Sequence, residues 1–120
     1  MAETGRLTTH VLDTMRGCPA SGLHIDFHDI GGEEIRVLAS VVTNSDGRCD
    51  QPMLAGAAFQ AGAYEFLFHV GRYYADCGIK PENGIFLDVV PVRFVVSDAS
   101  VHYHVPLLVS PYGYSTYRGS

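Results

Sequence analysis

Apolar residues recur at every second position along most of this chain, the spacing of strands that bury one face. In LHIDFHDI, Leu23, Ile25 and Phe27 alternate with His24, Asp26 and His28. EIRVLASVVT places Ile35, Val37, Ala39 and Val41 on one side and is rich in β-branched residues, which suit pleated sheets. In GAYEFLFHV, Tyr64, Phe66, Phe68 and Val70 fall together. FLDVVPVRFVV and VHYHVPLLVS read as two further long strands, joined by the polar turn 97–100. RLTTHVLD near the start is extended, and YSTYRGS forms a terminal strand after the tight turn at Ser110-Pro111-Tyr112-Gly113.

One stretch departs from period two. Residues 70–77 predict a helix of about two turns, stopped by Gly78 and then Pro81, too short to stand without packing. Asp46-Gly47 breaks the chain where a tight turn needs a positive φ. Seven or eight strands, one short helix and no βαβ rhythm predict an all-β sandwich in a single domain spanning 1–120. Pro91 and Pro106 each remove a ladder donor, which predicts edge positions or bulges. Tyr112, Tyr114 and Tyr117 on a terminal strand are hard to reconcile with a free edge, and they predict an oligomer.

Composition narrows the functions. Hydrophobic residues make up 47% and charged residues 18% of the 120, the balance of a folded domain. The formal net charge of −5 disfavours nucleic acid and anionic membrane as partners. No run approaches the ~20 apolar residues of a membrane helix. MAETGR lacks the charged and apolar regions of a secretory signal, so the expected location is cytoplasmic. Cys18, Cys49 and Cys77 are dispersed and odd in number, which predicts free thiols.

The residues able to do chemistry are mostly imidazoles. Six histidines are many for this length. Thr8, His10 and Leu12 share one face of their strand, and His102, His104, Pro106 and Leu108 share one face of theirs. His24 and His28 lie on a wet face, and His69 closes a strand. His102 and His104, two apart, form a pair that zinc accepts, but spacing specifies no third ligand, and no metal is expected. No G-x-S-x-G elbow supports a serine hydrolase. His10 and His104 are candidate proton-transfer groups, because imidazole titrates near neutral pH. Arg48, on a turn, and Arg118, near the end, are candidate binders of an anion or oxyanion.

Three blocks taken together carry a resemblance: LTTHVLDTMRGCPASGL, SDGR, and HYHVPLLVSPYGYSTYRGS. From Leu7 to Ser120 the chain resembles the transthyretin-related proteins of urate degradation, whose signature tetrapeptide is YRGS. The resemblance implies a transthyretin-like β-sandwich of two four-stranded sheets with one short helix. It also implies a homotetramer with sites at a subunit interface, and no cofactor. The implied reaction is hydrolysis of 5-hydroxyisourate to 2-oxo-4-hydroxy-4-carboxy-5-ureidoimidazoline. Carried over by position, the family's catalytic groups fall on His10, His104 and Ser120. Its substrate-binding groups fall on His10, Arg48, Tyr117 and Arg118. The alternative is a small-molecule carrier of the thyroid-hormone-binding transthyretin type, which differs at the positions of His10, Arg48 and His104 and in its C-terminal tail.

Overall fold

The structure, a computed structural model, describes residues 5–119, and their core lies between two facing sheets. The strands are β1 (Arg6–Asp13), β2 (Cys18–Pro19), β3 (His24–Asp29), β4 (Arg36–Val42), β5 (Leu54–Ala55), β6 (Gly62–His69), β7 (Val89–Val96), β8 (Tyr103–Val109) and β9 (Tyr114–Thr116). The helix α1 (Val70–Asp76) follows β6 directly, as the sequence predicts.

One sheet runs β4-β3-β6-β7, four strands as expected. The other runs β2-β1-β8-β9, with the two-residue β5 also pairing β1. It is therefore four positions wide but built from five strands, because β2 and β5 take opposite ends of β1. Within it β1 and β8 run parallel over seven residue pairs, Leu7↔Tyr103 to Asp13↔Val109. Among the described residues, no helix is long and apolar enough to cross a membrane.

The inward positions follow the period-two reading. Leu7 and Val11 of β1, Ile25 and Phe27 of β3, Phe66 and Phe68 of β6, and Leu107 and Val109 of β8 are fully buried between the sheets. Strand β4 departs from it. Its register with β3 shifts between Phe27 and His28, leaving Leu38 unpaired while Ala39 opposes Phe27 and Val37 opposes His28. The bulge turns the alternation over. Leu38, Ala39 and Val41 pack on the core, whereas Ile35 and Val37, expected on the same side, are exposed.

Both prolines follow ladder geometry. Pro91 lies in β7, an edge strand, as expected. Pro106 lies in β8, an interior strand, which corrects the edge or bulge expectation. Regular pairing of β8 with β9 stops at Leu107↔Thr116 and returns only as a single bridge at His104↔Gly119. The missing donor of Pro106 falls in that gap. For the same reason the terminal strand is shorter than YSTYRGS, since only Tyr114–Thr116 pair regularly.

A buried carboxylate ties α1 to β1. Asp13, fully buried, accepts hydrogen bonds from Tyr73 Oη at 2.8 Å and Tyr74 Oη at 3.0 Å. The amides of Met15 and Arg16 also donate to it, each at 3.1 Å. On the opposite outer face of the sandwich, Glu65 is held by Arg93 Nε at 2.7 Å and lies 3.2 Å from His28 Nδ1.

Candidate active site

Alternation sends Thr8 and His10 of β1 and His104 of β8 to the outer face of the five-stranded sheet, with His102 just before β8 beside them. Parallel register sets Thr8 opposite His104 and His10 opposite Pro106. The result is a cluster of imidazoles drawn from segments more than 90 residues apart. His10 and His104 lie with ring centroids 6.2 Å apart and planes inclined by 29°. His102 and His104 are 6.4 Å apart, centroid to centroid. Thr8 Oγ1 sits between the latter pair, 2.9 Å from His102 Nε2 and 2.8 Å from His104 Nδ1.

The Asp46-Gly47 turn delivers Arg48 to the same face. Asn44 Oδ1 accepts from the amides of Asp46 at 2.9 Å and Arg48 at 3.1 Å, winding the loop on its own side chain. Gly47 has φ +72°, and a Cβ on it would collide with the carbonyl oxygen of Val11. That close approach lets Val11 donate its N–H to the Gly47 carbonyl at 2.8 Å, and it pairs Arg48 with His10 as a bridge.

The C-terminal segment closes the other side. The Gly119 amide donates to the His104 carbonyl at 2.6 Å. A Cβ at position 119 would stand 3.0 Å from His104 Cδ2 and 3.2 Å from its Cβ, so glycine lets the backbone lie flat on the imidazole. Ser120, expected to follow into the site, lies outside the described residues.

Electrostatics favour neutral imidazoles here. Partial burial, then the Arg48 guanidinium, hold the His10 pKa below its ordinary value, against the opposing pull of the Asp46 carbonyl and carboxylate. His104 is lowered by burial first, and then by Arg48, His10 and His102. His102 is lowered by burial and by Arg6. Two neutral rings can accept protons, and the guanidinium whose charge acts on both can stabilise developing negative charge. Among the described residues, no three His, Cys, Asp or Glu side chains converge as metal ligands.

Of the residues expected from sequence, His10, Arg48 and His104 come together. Within one chain, Tyr117 and Arg118 do not join them. The Arg118 guanidinium lies 4.1 Å from the ring centroid of Tyr103, a buried inward residue, so it packs on the side of β8 opposite His104. Tyr117 lines the same groove between β7 and the C-terminal segment. Thr8, His102 and Gly119 were not expected at the site. The signal for Thr8 was its shared face with His10, and for His102 its shared face with His104. An apolar cavity of about 250 Å³ between α1 and residues 79–87 lies elsewhere and holds none of the site residues expected from sequence.

A transthyretin-type sandwich with an ionisable outer face defines the class of protein: the chain belongs to the HIUase/Transthyretin family, whose pattern it matches over residues 7–119. It is 55% identical to 5-hydroxyisourate hydrolase 2 of Rhizobium meliloti over 120 residues, all of both chains. Among solved structures, it superposes on an (S)-allantoin synthase with a TM-score of 0.93 at 45% identity, covering 98% of this chain and 44% of that one. It also resembles sea bream transthyretin in complex with thyroxine, with a TM-score of 0.84 at 26% identity and coverage of 95% and 94%.

Proposed function

We propose that this protein is a 5-hydroxyisourate hydrolase of urate degradation, working at the outer face of the β1–β8 sheet. The observation that carries the reading is the convergence of His10, His104 and Arg48 on that one face. The full-length 55% identity to a protein named for the same activity supports it. The substrate is a flat, oxygen-rich ring whose lactam carbonyl must take up water. A neutral imidazole of the His10–His104 pair removes a proton from that water as its oxygen bonds to the carbonyl carbon. Charge gathers on the carbonyl oxygen, where the Arg48 guanidinium stabilises it. Collapse of the intermediate breaks the carbon–nitrogen bond of the ring, and the imidazolium returns its proton to the departing nitrogen. The Ser120 hydroxyl orients the water.

The working form is a homotetramer with sites at a subunit interface. Exposed Tyr112, Tyr114 and Tyr117 and the outer edges of β7 and β9 support assembly. Arg118, turned away from the histidines of its own chain, and the exposed Tyr117 contribute to substrate binding through that assembly. Three free thiols fit a reducing compartment, and the cytoplasm is the proposed location.

A carrier of thyroid-hormone type shares the fold, and the fold alone does not choose between them. The ionisable trio favours the hydrolase. The test generates 5-hydroxyisourate in place from urate with urate oxidase and follows its ultraviolet decay. Decay faster than in buffer, unaffected by a chelator, is expected. Decay at the buffer rate, together with saturable thyroxine binding, would establish the carrier instead.

A further inference from the structure

Among the described residues Thr8 is the one group hydrogen-bonded to two imidazoles at once, and its chemistry limits what those rings can be. A hydroxyl has one proton to donate and two lone pairs to accept with. At 2.9 Å from His102 Nε2 and 2.8 Å from His104 Nδ1, Thr8 Oγ1 cannot satisfy two bare ring nitrogens. At least one ring must present an N–H to it. If His102 donates and Thr8 passes its own proton toward His104 Nδ1, the neutral His104 carries its hydrogen on Nε2 and has no lone pair left for a proton from water. In the opposite order His104 Nδ1–H donates to Thr8, Thr8 donates to His102 Nε2, and His104 Nε2 stays bare.

The proposed reaction, which needs a proton acceptor on this face, selects the second order. Nδ1 is held by Thr8 in either order, and among the described residues no hydrogen bond engages His104 Nε2, so only a bare Nε2 has a lone pair free for a proton from water. We infer that Thr8 and His102 are positioning residues that lock His104 into its Nδ1–H tautomer and so keep Nε2 available as the base. The inference rests on the proposed hydrolase reading for the choice of order, and on the Thr8 contacts for the means by which His104 is held. When His104 takes up a proton, its Nδ1–H bond to Thr8 becomes charge-assisted and stronger, so the same contact stabilises the imidazolium. The arrangement depends on parallel register, which sets Thr8 directly opposite His104.

The test reads tautomer and turnover separately. Long-range proton–nitrogen correlation spectra of protein labelled at its histidine nitrogens, with the His104 signals assigned by their loss in His104→Gln, should show a protonated Nδ1 and a bare Nε2. Thr8→Val, close in shape and lacking the hydroxyl, should shift His104 toward the Nε2–H form. It should also lower kcat by at least ~10-fold while KM stays within about twofold. Thr8→Ser should restore both readouts and serves alone if the valine variant does not fold. A parent protein with His104 protonated on Nε2 overturns the inference, as does a folded Thr8→Val enzyme with unchanged tautomer, whatever its rate. The expected tautomer in a protein without hydrolase activity upholds the assignment and overturns the functional reading.

Discussion

His104 shows how much a single residue owes to its surroundings. The sequence places it on one face with His102, and the family resemblance adds His10 and Arg48 to its site. What the sequence does not disclose is the hydroxyl between the rings or the flat backbone of Gly119 against them. Both depend on pairings across the fold, Thr8 with His104 and Gly119 with His104, that no local spacing encodes. Arg118 shows the reverse. Its residue type suits anion binding, yet alternation from Gly119 turns it to the Tyr103 ring. The lowered imidazoles yield a prediction with a definite sign. Both His10 and His104 titrate below the ordinary 6.5, so the base form persists at neutral pH and is lost only on the acid side of that value. The rate profile kcat/KM against pH should therefore be flat around 7 and fall below 6.5. The same shifts make the unfolded chain bind more protons than the folded one between the folded values and 6.5. Their stabilising contribution is whole above 6.5 and is lost as pH falls toward the folded values, which thermal unfolding across that range will register.

At the scale of elements, period-two patterning located the long strands, because one buried face fixes the alternation, and its interruption before Gly78 and Pro81 located the helix. It failed at β4, where one extra residue at Leu38 turned Ile35 and Val37 outward. A bulge of that kind leaves the sequence looking like an unbroken strand. The two-residue β2 and β5 were also illegible, being defined by β1 and not by any pattern of their own. The helix owes its place to Asp13, whose carboxylate gathers the Tyr73 and Tyr74 hydroxyls at the end of β1. Burial, followed by the neighbouring Asp13 carboxylate, pushes both phenols well above their ordinary pKa, so they remain donors at any working pH. Asp13→Ala orphans the buried Tyr73 hydroxyl, leaves Tyr74 only the Val109 carbonyl at 3.2 Å and removes the acceptor of the Met15 and Arg16 amides. A buried donor left unpaired costs about 1–3 kcal/mol. The variant should unfold at least about 8 °C below the parent in a calorimeter. An unchanged melting temperature would mean that α1 is held by apolar packing alone.

At the scale of the whole molecule, the sandwich presents its histidine face and its aromatic terminal segment outward, and a lone chain leaves both uncovered. Tyr112, Tyr114, Tyr117 and Phe86 are each about half exposed or more. Assembly that covers such surface and brings Tyr117 and Arg118 of one copy near the histidines of another predicts a concentration-dependent enzyme. Sedimentation equilibrium should report four copies at micromolar concentration. Activity per subunit should fall once dilution yields single chains, and a fully active monomer would remove the interface from the site. The most direct trial of the central claim, that this outer face opens the ring, is the turnover of folded His104→Ala on freshly generated 5-hydroxyisourate. A loss of at least ~100-fold with the melting temperature preserved is the expected result, since a positioned proton acceptor contributes about 10²–10⁴ in rate. A variant that consumes the substrate as fast as the parent would contradict the account.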